Sequence, residues 1–243
     1  MKALVIGGSS GIGLSMVLNL ISRKDIELVY VLDKQAFPKQ YYTKKVQAVL
    51  CNLANANTDT ILSKLDTIQY LYITAGFGHL HYFQELSSKY IDDSFYVNTI
   101  APIQVIRFYY EQLLHSTPLY CAIMVSIAGR LCSPMFSIYS ATKAALSKFI
   151  EAINIELEVQ NSANRILEVS PGSLKGTSFT GGISDPTQTN SLAKDIIEKS
   201  ENRHTLFIPQ YDEVFKQVIN RYQNDAHKYG VESYWYKQKR LTK

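Results

Sequence analysis

Tyr139 and Lys143, in the stretch IYSATKAAL, stand four residues apart. On a helix that spacing places a phenol and an ammonium one turn apart on the same face. A phenol of pKa about 10 exchanges protons poorly near neutrality, and bringing it to about 7 takes about 4 kcal/mol. One ammonium about 4 Å away in a partly shielded site supplies a similar amount. Spacing alone does not single the pair out, because Tyr30/Lys34 and Tyr41/Lys45 repeat it in a chain with 17 tyrosines and 25 lysines and arginines. Tyr30/Lys34 straddles the end of a strand-like run, where residues four apart do not meet as on a helical turn. Tyr41/Lys45 lies in the polar connector PKQYYTKKVQ. Neither follows a strand-end serine, whereas Tyr139 follows Ser126 by 13 residues.

A second constellation lies near the start. The first strand-like run leads into GGSSGIG, Gly7 to Gly13, and then into the helix-period segment LSMVLNLISRK. Glycines there let the backbone turn tightly and approach a pyrophosphate, toward which the helix N-terminus presents N–H groups and partial positive charge. Placement between a strand and a helix separates this turn from an ordinary flexible glycine string. The second run, IELVYVLD, ends at Asp33, 20 residues beyond Gly13. A carboxylate there accepts from both ribose hydroxyls of an adenosine and repels a 2′-phosphate, which favours NAD over NADP. Lys34 keeps NADP open, since an adjacent cation can hold a 2′-phosphate if Asp33 turns away.

These residues need a frame. Strand candidates fall at 3–7, 27–33, 46–51, 68–74, 119–126, 164–170 and 204–208, with amphipathic stretches such as 54–65, 88–115 and 137–160 between them. Runs such as LYCAIMVSI and IQYLYITAG are almost continuously apolar, as strands covered on both faces are. The alternation predicts an α/β fold: a doubly wound parallel seven-stranded sheet flanked by helices. With 46% hydrophobic and 19% charged residues, the 243-residue chain is globular rather than disordered and fits one domain. No apolar run approaches the roughly 18 to 20 residues needed to span a bilayer. The strand-like ALVIGG begins at Ala3, so the expectation is a cytoplasmic protein with no cleaved leader and no membrane partner. Cys51, Cys121 and Cys132 lack metal-ligand spacing, and no metal is expected. The irregular stretch Pro171 to Asn190 is expected to be a lid or binding loop.

With these marks in order, the sequence resembles the short-chain dehydrogenase/reductase family in its short single-domain branch, over residues 3 to about 177. The family pattern Thr-Gly-x-x-x-Gly-Ile-Gly is met by IGGSSGIG, with Gly7, Gly11 and Gly13 in the glycine positions and Ser9, Ser10 and Ile12 between them. ITAG, which ends in Ala75 and Gly76, looks like the family's Asn-Asn-Ala-Gly, and Pro171-Gly172 matches its Pro-Gly after the sixth strand. The resemblance implies a Rossmann-like fold and a reductase or dehydrogenase acting on a small carbonyl/secondary alcohol pair. It implies Tyr139 as general acid/base and Ser126 as the hydroxyl that orients the substrate oxygen. Lys143 would lower the tyrosine pKa and bind the nicotinamide ribose, and Asn98 would hold a proton-relaying water. Cofactor contacts are implied for the glycine turn, Asp33, Asn52, Leu53, Ala75, Gly76, Tyr139, Lys143, Pro171, Gly172 and Thr177. The chain departs from the pattern at Ile6, at Ile73-Thr74, at Asn52 where an aspartate is usual, and at Thr177, one residue late.

Residues 1–210 are expected to form the cofactor-binding domain and 211–243 a helical extension of it, with DEVFKQVINRYQNDAHK helical and the basic aromatic segment YWYKQKR packed or touching another subunit. From Lys228 to Lys243 five basic residues stand against one acid, which leaves the rest of the chain balanced. So local a charge, without a recognition motif, gives nucleic-acid binding little support. The resemblance further implies a homodimer or homotetramer. An alternative function is a catalytically silent NAD(H)-binding regulatory or scaffold protein of the same fold.

Overall fold

The structure, a computed structural model, describes residues 1–115, 117–177, 179 and 182–241. Seven strands form the sheet: β1 (Lys2–Ile6), β2 (Leu28–Asp33), β3 (Val46–Leu50), β4 (Tyr70–Ile73), β5 (Tyr120–Met124), β6 (Ile166–Val169) and β7 (Leu206–Phe207). All are parallel, in the order β3-β2-β1-β4-β5-β6-β7. Each expected strand is present: β1 lies one residue earlier than expected, and the others are trimmed by one or two residues at one or both ends. The helices are α1 (Gly11–Ser22), α2 (Thr58–Leu62), α3 (Ser88–Phe95), α4 (Ala101–Phe108), α5 (Tyr110–Leu114), α6 (Ser137–Val159), α7 (Pro186–Glu201), α8 (Lys216–Asn224) and α9 (Ala226–Leu241).

Successive strand side chains point to opposite faces, so each strand feeds two cores. Leu4, Ile6, Leu71, Ile73, Cys121 and Ile123 join one apolar cluster with Val105, Leu146 and Ile150 of α4 and α6. Ala3, Val5, Tyr70, Tyr72 and Ala122 join the other with Met16 and Leu20 of α1 and Ala193 and Ile196 of α7. The order reverses between β1 and β4, the switch point at which doubly wound sheets leave a crevice.

Four expectations need correction. The amphipathic stretch 88–115 is not one helix: a π-helical turn, Tyr96–Ile100, separates α3 from α4. Residue 102 is proline, so the Asn98 carbonyl lacks its α-helical donor, and Ala101 N–H instead reaches back to Tyr96 O. The stretch 54–65 yields only the five residues of α2. The irregular loop ends before Asn190, because Asp185 accepts from Thr187 N–H at 3.0 Å and Pro186 opens α7. At the far end, the segment YWYKQK continues α9 rather than following a helix.

Candidate active site

The glycine turn is shaped by what lies against it. Gly7 has φ 88°, and a Cβ there would stand 2.5 Å from Ala75 N and 2.8 Å from Thr74 Oγ1. A Cβ on Gly13 would press into the carbonyl of Gly7 and the same threonine hydroxyl. Thr74 Oγ1 donates to Ile6 O at 3.0 Å and to Gly7 O at 3.1 Å, so the residue replacing the family's asparagine clamps the turn to β4. Asp33 braces the opposite side: one carboxylate oxygen accepts from Ser9 N–H and the other from Gln35 N–H, both at 2.9 Å. Ser10 stands at the N-cap of α1 without a side-chain capping bond, and Ile12 is buried behind the turn. Asn52, exposed, and Leu53, buried, follow β3, where Asn52 Oδ1 accepts from Ala54 N–H at 3.2 Å.

Asn98, Ser126, Tyr139 and Lys143 come from the π turn, the end of β5 and α6, and all four are buried. Asn98 is fully spent on its neighbours: Oδ1 accepts from Phe77 N–H, and Nδ2 donates to Phe77 O at 2.8 Å and Thr142 Oγ1 at 3.2 Å. Lys143 Nζ donates to Met124 O at 2.9 Å and lies 5.8 Å from the Tyr139 ring centroid. Gly76 runs between them, with room for a Cβ only 3.1 Å from Asn98 Oδ1 and 3.3 Å from Lys143 Nζ. Ser126 Oγ accepts from Ala128 N–H at 3.1 Å, which turns the chain at the strand end.

Electrostatics in this cluster run opposite to the sequence expectation. Burial pushes the Tyr139 phenol up to about 12, opposed by its bond with Ser126, and burial brings Lys143 down to about 7. The lysine expected to lower the phenol is itself desolvated and only partly charged at neutral pH, so it does not offset the burial of the ring.

The loop after β6 closes the site. Pro171 O accepts from Ile127 N–H at 3.0 Å, which joins the loop to the Ser126 turn. Thr177 packs on Gly11, 3.5 Å from where a Cβ would stand, and Gly11 N–H donates to Ser184 Oγ at 2.7 Å. Phe179 lies 5.1 Å from the Tyr139 ring centroid and Phe136 4.6 Å, while Phe215 of the C-terminal extension covers Gly172. An ion pair with a buried carboxylate holds the adjoining segment: Arg130 Nη2 donates to Glu168 Oε1 at 2.6 Å, and Ser147 and Ser170 also donate to Glu168.

Of the residues expected from the sequence, the glycine turn, Ala75, Gly76, Asn98, Tyr139, Lys143 and Thr177 gather around one crevice, whereas Asn52 stands out at the end of β3. Sequence reasoning missed Thr74 as the clamp, and it missed Ser184, Phe179, Phe215 and the Arg130–Glu168 pair. Asp185-Pro186 marked the start of α7 and thus the approach of Ser184; nothing local marked the others.

The pieces suit a dinucleotide. Gly7 and Gly13 leave no room for a Cβ because the turn packs on Thr74 and Ala75, and the first turn of α1 carries backbone N–H groups of the kind that hold a phosphate, with that of Gly11 bonded to Ser184 Oγ. A family model described as short chain dehydrogenase matches residues 1–188. The uncharacterized oxidoreductase YDL114W of Saccharomyces cerevisiae is 26% identical over 80% of this chain and 66% of its own length. The uncharacterized oxidoreductase TDA5 of the same yeast is 27% identical over 73% of this chain and 56% of its own. The chain thus spans less than two thirds of the length of both relatives. Among solved structures, a short-chain dehydrogenase from Streptomyces avermitilis aligns with TM-score 0.78 at 20% identity, covering 100% of this chain and 99% of that one. A 4-hydroxyisoleucine dehydrogenase complexed with NADH and succinate aligns at 0.64 and 22% identity, covering 86% and 96%. A short chain dehydrogenase from Burkholderia cenocepacia in complex with NADP aligns at 0.71 and 18% identity, covering 90% and 96%. These structures share the fold.

Proposed function

The chain belongs to the short-chain dehydrogenase family of oxidoreductases, and from that premise we propose that it transfers a hydride between a nicotinamide dinucleotide and a small carbonyl/secondary alcohol pair. The supporting observation is convergence: Ser126, Tyr139 and Lys143 are all buried, with Lys143 Nζ 5.8 Å from the Tyr139 ring centroid, at the C-terminal end of the sheet, where the glycine turn also lies. Ser126 holds the substrate oxygen, and Tyr139 gives it a proton in reduction or takes one in oxidation. Lys143 offers a hydrogen bond to a ribose and, in its protonated fraction, charge beside the phenol. The Asn98 side chain is occupied by Phe77 and Thr142, so its main-chain carbonyl, denied a donor by Pro102, is the group suited to hold a relaying water. A bound nicotinamide supplies or accepts the hydride, and its oxidised form brings positive charge that draws a nearby phenol down. Asp33 favours NAD, with Lys34 the residue that would admit NADP.

A second reading, a nicotinamide-binding regulatory protein without turnover, draws on the raised Tyr139 and lowered Lys143 pKa values. NADH oxidation across a broad carbonyl panel separates the two. Turnover that falls by about 10²–10⁴-fold in Tyr139→Phe, with NADH affinity kept, supports the enzyme. A wild type that binds NADH and turns over nothing in either direction supports the regulator.

A further inference from the structure

The C-terminal extension presents a face that the proposed chemistry does not use. One side of α9 is anchored: Lys237 Nζ donates to Ser133 Oγ at 2.6 Å and to Pro134 O at 3.0 Å, and Gly230 lies against Cys132. Tyr234 is half-buried on that side, whereas Trp235 and Tyr236 of the same aromatic segment are exposed. Anchoring one side fixes which residues look outward. Lys228, Val231, Trp235 and Lys239 recur at helical spacing along one ridge and all are exposed, with Val231 44% and Trp235 55% accessible. Of the nearest acids, Glu232 is paired with Arg221 of α8 and Asp225 caps the start of α9 through Lys228 N–H, so both carboxylates are engaged beside the ridge. Beside the ridge runs an apolar groove of about 450 Å³ lined by Cys132, Pro134, Gly230, Val231, Tyr234 and Trp235.

We propose that this ridge docks the protein on the surface of an anionic phospholipid bilayer. An aliphatic and an indole side chain between two lysines match an interface whose apolar layer lies just below negative headgroups. Trp235 sits at headgroup depth, Val231 and the groove meet the acyl boundary, and Lys228 and Lys239 pair with anionic lipids. No helix among the described residues is long and apolar enough to cross a membrane, and surface attachment needs none. The charge selects lipid over a second copy of this chain, whose ridge would carry the same positive sign.

Trp235 is the single tryptophan of the chain, so its emission reports this face directly. The full chain is titrated with phosphatidylcholine vesicles and with vesicles holding roughly one-third phosphatidylserine. The expected result is a blue shift and co-flotation with the anionic vesicles, reversed by salt. Lys228→Gln and Lys239→Gln each weaken binding about fivefold, and Val231→Gln weakens it without changing the far-ultraviolet dichroism. Emission unmoved by either vesicle overturns the proposal. A blue shift that follows protein concentration without lipid also overturns it, by assigning the ridge to self-association. Neither readout depends on cofactor or turnover, so this result stands apart from the test of the enzyme.

Discussion

Asn98 and Phe77 are joined twice, the amide of one side chain matching the backbone N–H and C=O of the other residue at 2.9 and 2.8 Å. The pairing imitates one rung of a sheet between a helix and the chain leaving β4. It holds Gly76 and Phe77 over Lys143, and it is available because the π turn rotates Asn98 inward.

Replacing Asn98 with alanine leaves two backbone groups of Phe77 without these partners. The expected cost is about 2 kcal/mol. Urea denaturation of Asn98→Ala measures it; an unchanged midpoint would mean that Phe77 finds other partners.

Lys143 sets a pH dependence of stability. Its folded pKa of about 7 lies below the ordinary 10.5, so between those values the unfolded chain binds more protons and stability rises with pH. The slope is at most about 1.4 kcal/mol per pH unit for one proton. Lys237, lowered to about 8, adds a smaller rise that begins later. Above an ordinary thiol pKa of 9.0, the buried Cys121, held protonated in the fold, opposes part of this rise. Urea midpoints compared between about pH 7 and 8.5 should climb in the wild type and climb less in Lys143→Met. Equal slopes would refute the assignment.

Asp33 braces Ser9 and Gln35, and in the proposed function it also faces the adenosine of the cofactor. Asp33→Asn keeps an acceptor but removes the charge. NADH affinity is expected to fall about tenfold, or 1.4 kcal/mol, while NADPH affinity rises as repulsion of the 2′-phosphate is relieved. Calorimetric titration reads both, and a wild type that prefers NADPH contradicts the NAD preference.

Arg130 neutralises Glu168, whose side chain is 5% exposed. Arg130→Met leaves that carboxylate with only the Ser147 and Ser170 hydroxyls and is expected to destabilise the fold by about 1–3 kcal/mol. The double variant Arg130→Met/Glu168→Gln should recover part of the loss, measured as a thermodynamic cycle. Simple additivity would deny the coupling.

The strand sequence and the glycine turn were legible because they rest on local rules: apolar runs, glycine placement and alternation with helices. The four polar residues around Tyr139 were legible because a resemblance supplied their order. The break at Tyr96–Ile100 escaped, although Pro102 was visible, since one proline inside an apolar stretch does not say which neighbouring bond pattern replaces the lost one. The pKa directions escaped for a different reason. Spacing tells which charges are near, but burial is a property of everything packed around them. Thr74, Ser184 and Phe215 gain their roles through partners far along the chain, and no local pattern carries that information.

Helix α1 is held along its length by α7: Ser15 meets Thr189 at 2.6 Å, Asn19 meets Asn190 at 2.8 Å and Arg23 meets Glu201 at 2.6 Å. During synthesis the first helix therefore waits for its cover. At about 5–20 residues per second, roughly 10 to 30 s separate the emergence of α1 from that of α7. Through that interval Ile12, Met16 and Leu20 have no permanent neighbour on one side, and the nascent chain is open to aggregation or chaperone capture. Slowing translation upstream of Pro186 should lower soluble yield, whereas slowing it beyond Glu201 should not.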